Sequence, residues 1–144
     1  MTVHEITTTQ QLQEAFNIRE KVFVDEQNVP LEDEFDQFDK IGSSCRHVLI
    51  SHDGKPVGTG RIRWIEGIGK LERISILKDF RSLGFGKQII EALELIATNE
   101  QTEKVKLHGQ THAESFYQKL GYETTSDVFM EDGIPHVIMT KTLR

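Results

Sequence analysis

The sequence predicts one mixed α/β domain, with mostly antiparallel strands in the order β-α-βββ-α-β-α-ββ. Three observations carry this. First, an apolar run ending at Leu77 leads through Arg81-Ser82-Leu83-Gly84-Phe85-Gly86 into Ile89, Ile90, Leu93, Ile96 and Ala97 at helical spacing, which reads as strand, glycine loop, helix. Second, the three strand-like segments before it are separated only by Asp53-Gly54 and by Gly67 to Gly69, as in consecutive hairpins. Third, a short helical stripe at Ala113, Phe116, Tyr117 and Leu120 lies between two further strand-like runs. A chain of 144 residues suffices for one substantial core.

Val3–Ile6 reads as a first strand. Thr8 and Gln11 then stand at capping-box spacing, and Leu12, Ala15, Phe16, Val22 and Phe23 carry an apolar stripe to about Val24. Asn28-Val29-Pro30 ends that helix. The acidic run Glu32, Asp33, Glu34, Asp36 and Asp39 is expected to be a solvated helix or loop face, with an acidic lip beside an amine site as the alternative. His47-Val48-Leu49-Ile50 is a buried-strand run. In Pro56–Ile65, Ile62 and Trp64 share one face and Arg61 and Arg63 the other. Leu71, Ile74, Ile76 and Leu77 break the period of two, which is compatible with a β-bulge. Lys104–His108 is a strand with Val105 and Leu107 inward. His112–Leu120 is a short helix closed by Gly121, a strand starts at Tyr122, and His136–Thr142 follows a turn at Asp132-Gly133.

The net charge of −6 argues against nucleic acid as the main partner and tolerates cationic small molecules. No apolar run reaches the roughly 18 residues of a membrane span. One cysteine rules out an internal disulfide, and with no signal-peptide pattern at Met1–Ile6 the expected compartment is the cytoplasm. Cys45 has no nearby His/acid partner and reads as a buried small hydrophobe. His108 and His112 are four apart, but Gly109 and a strand-to-helix change separate them, so no metal site is expected.

The glycine loop is the chemically pointed stretch. A strand-to-helix turn offers backbone N–H groups and a favourable dipole to an anion. Gly84 and Gly86 let a phosphate approach the main chain, and Arg81 adds a forked cation. A Walker loop would need glycine where Arg81 stands and Ser or Thr where Gln88 stands; a dinucleotide fingerprint would need a small residue at Ile89. Taken alone, R-x-x-G-x-G fits a surface turn better than a ligand loop.

Three pieces in order change that: Leu71-Glu72-Arg73-Ile74-Ser75-Ile76, Arg81–Gly86, and Ala113-Glu114-Ser115-Phe116-Tyr117-Gln118-Lys119-Leu120-Gly121-Tyr122. With them the chain resembles the GNAT superfamily of acetyl-CoA-dependent N-acetyltransferases over essentially its whole length. Arg19–Pro30 and Gly133-Ile134-Pro135-His136 resemble its small bacterial YjcF/ElaA-type branch. The resemblance implies a six- to seven-stranded sheet, splayed at its centre, with helices on both faces and acetyl-CoA as co-substrate in the gap. It implies that the backbone of Ile74, Ser75 and Ile76 pairs with the pantetheine arm, and that Arg81, Ser82, Leu83, Gly84, Phe85, Gly86 and Lys87 hold the pyrophosphate. Gln110 stands where the family often has Asn, as a longer amide toward the cofactor.

Acetyl transfer needs a neutral amine, whereas a Lys-like amine near pKa 10.4 carries a protonation penalty of roughly 4–5 kcal/mol at pH 7. The resemblance implies Glu72 as acceptor of that proton; the competing reading is an ion pair of Glu72 with Arg73 or Arg61. It implies Tyr117 as donor toward the departing thiolate, with Phe116 assigned to the core. A backbone N–H of the Ile74–Ile76 strand would meet the oxyanion. His112 and His136 are candidates for the acceptor pocket. The expected partner is a small-molecule or peptide amine, with a homodimer allowed for and no nucleic acid, membrane or metal. A non-catalytic acyl-CoA sensor and a transferase for a longer acyl group are the rival readings.

Overall fold

The computed structural model describes residues 2–143. Strands β1 (Thr2–Glu5), β2 (Arg46–His52), β3 (Lys55–Ile65), β4 (Ile68–Ile76), β5 (Lys104–Gln110), β6 (Glu123–Thr124), β7 (Phe129–Glu131) and β8 (Ile134–Thr142) form one sheet. Their spatial order is β1-β2-β3-β4-β5-β8-β6, with β7 also paired to β8, and only β4 with β5 is parallel. The eighth strand, one more than the sequence predicts, arises because the segment after Tyr122 divides. Between β6 and β7 the Ser126 hydroxyl replaces the ladder, accepting the Ile138 N–H at 2.8 Å.

Tight turns join the hairpins at Asp53-Gly54, Glu66-Gly67 and Asp132-Gly133, each with positive φ at both residues. That geometry matches the strand twist and favours Asn, Asp or Gly, with Glu66 in the second turn the exception. The second turn lies one residue earlier than the glycines alone suggest.

Helix α1 (Thr9–Arg19) begins at the expected capping box, with Thr8 Oγ1 accepting the Gln11 N–H and Gln11 Oε1 accepting the Thr8 N–H, both at 3.2 Å. It passes into a π-helical stretch, Glu20–Glu26, that ends before Asn28 at φ 61°. Three further helices follow: α2 (Leu31–Glu34), α3 (Phe85–Asn99) and α4 (Glu114–Lys119). No helix among the described residues is long and apolar enough to cross a membrane.

Alternation along β2 sends Val48 and Ile50 to one face of the sheet and Leu49 to the other. On the first face α3 lays Ile89, Ile90, Leu93 and Ala97, fully buried, against Ile62, Leu71, Val105 and Leu107. On the second, Leu12, Ala15, Ile18 and Val22 pack with Ile6 and Leu49. Close approach of α3 depends on Gly60, where a Cβ would stand 2.8 Å from Ile89 Cγ2.

Two irregularities in β4 prepare the site. Arg61 pairs with Glu72 and Thr59 with Ser75, so Gly60 faces both Arg73 and Ile74; Arg73 sits at φ 55°. This is the bulge that the broken period suggests. Secondly, β4 and β5 pair only over Gly69–Leu71 and Val105–Leu107. Both strands continue, to Ile76 and Gln110, and diverge. One edge of Glu72–Ile76 therefore has no strand partner.

The acidic run is only in part the solvated face its composition suggests. Glu32, Asp33 and Asp36 are exposed, but Glu34 is 2% exposed and bonded to Arg19 Nε at 3.0 Å. Arg61, itself buried, reaches Asp36 at 2.8 Å and Asp39 at 2.9 Å. Phe35 packs edge-on to Phe16, and Phe38 lies under the Arg63 guanidinium. The run is a strap fastened over the sheet by arginines, because its anions alternate with aromatic rings that need cover.

Candidate active site

Where β4 and β5 part, a cleft of about 570 Å³ opens, within the range of small-molecule sites. Its walls are the free edge of β4, the glycine loop with the start of α3, β5 with α4, the β7–β8 hairpin, and the segment Val22–Val29. Of the acidic run only Glu34 reaches it.

At the outer end stands the N-terminus of α3. Gly84, at φ 88°, forms the cap position, and a Cβ there would meet nothing within 4 Å. No side chain caps the helix, so the N–H groups of Phe85, Gly86 and Lys87 face open space without an intrahelical acceptor. That is an anion site by geometry. Ser82 also has positive φ. Arg81 is already engaged: its Nε donates to the Ile76 carbonyl at 3.0 Å and Nη2 to Glu26 at 2.8 Å. Leu83 and Lys87 are exposed. Phe85 is buried against His52 and Phe80, so only its main chain faces the loop's exterior.

Along the edge, Ser75 is 4% exposed and its Oγ has no hydrogen-bond partner among the described residues. An orphaned buried hydroxyl beside an unpaired strand edge fits a ligand with amide groups, such as a pantetheine arm. Ile74 and Ile76 turn their side chains to the α3 face, near Gly60 and Gly58, leaving their main chain to the cleft.

Tyr117 lies deep in the cleft wall, its ring against Gly109, where a Cβ would stand 3.2 Å away. Its hydroxyl bonds no described residue, and burial pushes its pKa up to about 12, so it stays protonated and can donate a hydrogen bond at neutral pH. The neighbouring Tyr122 is instead structural, donating to Glu94 at 2.7 Å. Phe116 departs from its predicted core position: it is 38% exposed, lines the cleft, and comes within 3.4 Å of where a Gly86 Cβ would lie. The short α4 turns the first residue of the Phe-Tyr pair outward, so its place in the apolar stripe misled.

Glu72 lines the innermost part of the cleft but is tied down. Arg61 and Arg63 each approach Oε1 at 2.9 Å and Lys70 approaches Oε2 at 2.8 Å. Burial would raise its pKa, yet the bonds from Arg63 and Lys70 and the charge of Arg61 outweigh this and hold it at about 2. The pairing with Arg61 is thus present, buried rather than on the surface, while Arg73 pairs with Glu34.

Gln110 lines the cleft, donating to Gln27 at 3.0 Å and accepting from His112 Nε2 at 2.6 Å. His112 is exposed at the mouth. His136 is buried and donates Nδ1–H to the Ile134 carbonyl at 2.7 Å. Sequence reasoning missed Glu131, whose carboxylate meets His108 Nδ1 at 3.0 Å and lies 3.6 Å from His136 Nε2. The clue available was the hairpin at Asp132-Gly133, which folds Glu131 back beside His136. Cys45 is buried and its thiol is pushed up to about 12, chiefly by desolvation, which makes it inert.

Residues 5–143 match the family described as the acetyltransferase (GNAT) domain. A Bacillus subtilis protein named as an acetyltransferase is 54% identical over 141 residues, covering 98% of this chain and 96% of that protein. The uncharacterized N-acetyltransferase YjcF of the same organism is 45% identical over 133 residues, covering 92% and 93%. The crystal structure of Escherichia coli ElaA superposes with a TM-score of 0.85 at 28% identity, over 98% of this chain and 99% of that one.

Proposed function

This chain belongs to the GNAT acetyltransferase family, and from that premise we propose that it moves an acetyl group from acetyl-CoA to a primary amine by direct attack in a ternary complex. The observation that carries the reading is the continuous path from the uncapped α3 N-terminus, along the unpaired edge of Glu72–Ile76, to the point where β4 and β5 part. The N–H groups of Phe85–Lys87 hold a diphosphate there, and the edge of Ile74–Ile76 with Ser75 Oγ receives an amide-bearing arm. The thioester group supplies the activated acyl carbon. Its acyl end then lies near Glu72 and His108, the first residues beyond the ladder.

Tyr117 sits one residue along β5 from that point, against Gly109, and donates a hydrogen bond to the sulfur as it leaves. Glu72 orders Arg61, Arg63 and Lys70 around the inner end. Carrying a proton from an amine near 10.4 to a carboxyl near 2 is roughly 11 kcal/mol uphill, so Glu72 is not the final proton acceptor. Glu131 gives this end an anionic partner for an amine, whereas Glu34, its pKa raised chiefly by burial, is already engaged by Arg19 and Arg73.

Isothermal titration with acetyl-CoA, followed by thiol release over a panel of small and peptide amines, tests the reading. Micromolar binding with amine-dependent release of CoA is expected. Absence of binding contradicts it, and binding without release for any amine favours a sensor of acyl-CoA instead.

A further inference from the structure

We propose that His108 is the general base of the transfer, acting through Nε2, with Glu131 as its positioning residue; this rests on the amine-acetyltransferase reading above. Strand β5 alternates, with Val105, Leu107 and Gly109 buried toward the core and Lys106, His108 and Gln110 on the other face. His108 is the first residue after Leu107, where pairing with β4 stops, so it stands across the opening from Glu72. It lines the cleft with 23% of its side chain open. Tyr117 touches the opposite face of β5 at Gly109. A proton acceptor and a proton donor thus flank the inner end of the cleft from its two sides.

The hydrogen bonds fix the tautomer. An ionised carboxylate only accepts, so Nδ1, 3.0 Å from Glu131 Oε1, carries the imidazole proton. Glu131 is held below the ordinary carboxyl range chiefly by this bond, against desolvation, with help from the charge of Lys70. In the neutral ring Nε2 then holds a free lone pair, and it bonds no described residue. His136 cannot replace it: its Nδ1–H is spent on Ile134 and its Nε2 faces Glu131. Phe129, edge-on to His108 and stacked on His136, fixes both rings.

In the step, the amine nitrogen lone pair forms the C–N bond as the carbonyl π pair moves to oxygen. One N–H proton passes to His108 Nε2. The oxygen pair returns, the C–S bond breaks, and sulfur leaves with its electrons under a hydrogen bond from Tyr117, taking its proton from the His108 imidazolium through solvent. Amine plus thioester becomes amide plus thiol, with no other reactant.

The test compares wild type, His108→Gln, His108→Asn and Glu131→Gln, using the fastest of lysine methyl ester, spermidine, phenethylamine and a tripeptide as acceptor. The two His108 variants should lose about 10²-fold in kcat. Their acetyl-CoA affinity should stay within twofold of wild type, and the ascending limb of the pH–rate profile should vanish. Charged groups facing the ring from neighbouring elements are Glu131 and His136 on the β7–β8 hairpin and Lys70 and Glu72 on β4. Retention of kcat within threefold and of that limb in either folded variant overturns the assignment while leaving acetyl transfer intact. Wild-type failure to release CoA with every amine overturns both. Independently of any acceptor, ¹⁵N spectra of the neutral ring should show His108 protonated at Nδ1 and bare at Nε2, with loss of that preference in Glu131→Gln. A ring protonated at Nε2 contradicts the proposal.

Discussion

A tyrosine in a cleft wall whose hydroxyl bonds no other described residue is a side chain held ready for a ligand. Tyr117→Phe should leave acetyl-CoA affinity nearly unchanged and lower the rate of CoA release about 10²-fold, read by a thiol assay at saturating acceptor. An unchanged rate removes Tyr117 from the chemistry and returns it to core packing. Tyr117 was legible because F-Y-x-x-x-G-Y carries family information and because Gly109 leaves room for its ring. Of the partners of Glu72, Arg61 was legible in advance and Lys70 lies two residues away on the same strand, whereas Arg63 is brought in only by the register of β3 on β4. His108 and Glu131 are 23 positions apart in sequence, and no local period announces their contact.

At the scale of elements, the site depends on how tightly α3 lies on the sheet, since that helix presents the glycine loop. Gly60→Val would drive a side chain into Ile89, Leu93 and Ile74. A loss of about 1–3 kcal/mol is expected, read from the denaturant midpoint, together with weaker acetyl-CoA binding as the loop shifts. An unchanged midpoint would mean that the helix is not seated through this contact. Strands and helices with strong periods were readable in advance: the stripe of α3, the hairpin at Asp53-Gly54 and the capping box at Thr8 all lie where the residues put them. What sequence could not give is the depth of each layer. Arg19 continues the helical pattern of Ile18 and Val22 but is buried to pair with Glu34 and Asp39 from a strap whose composition looks solvated. Burial of a charge is decided by its distant partner, and periodicity is blind to that.

Over the whole molecule, Arg19, Arg61, Arg63, Lys70 and Arg73 interleave with Glu34, Asp36, Asp39 and Glu72 in one ionic layer beneath the strap, reaching the cleft at Glu72 and Glu34. Asp36, Asp39 and Glu72 have carboxyls held below the ordinary range, because bonds to the arginines and Lys70 outweigh desolvation. Depressed carboxyls stabilise the fold above their unfolded values, and that contribution is lost as pH falls through the folded ones. Glu34, raised by burial, works in the opposite sense and offsets part of this. Stability should therefore fall between about pH 4.5 and 2, with Glu72 alone worth on the order of 3 kcal/mol, as read from urea midpoints. Removing the central cation, in Arg61→Ala, should cost about 3–5 kcal/mol at pH 7 by leaving buried carboxylates unpaired. A flat profile would show the layer to be solvated in solution. The layer ties β3, β4 and the strap together beside the point where β4 and β5 part. Hydrogen–deuterium exchange with and without saturating CoA measures the consequence directly. Slowed exchange confined to the amides of Glu72–Ile76 and Phe85–Lys87 is the predicted result. Protection elsewhere with no change at these two stretches would contradict a coenzyme seated in the parted strands.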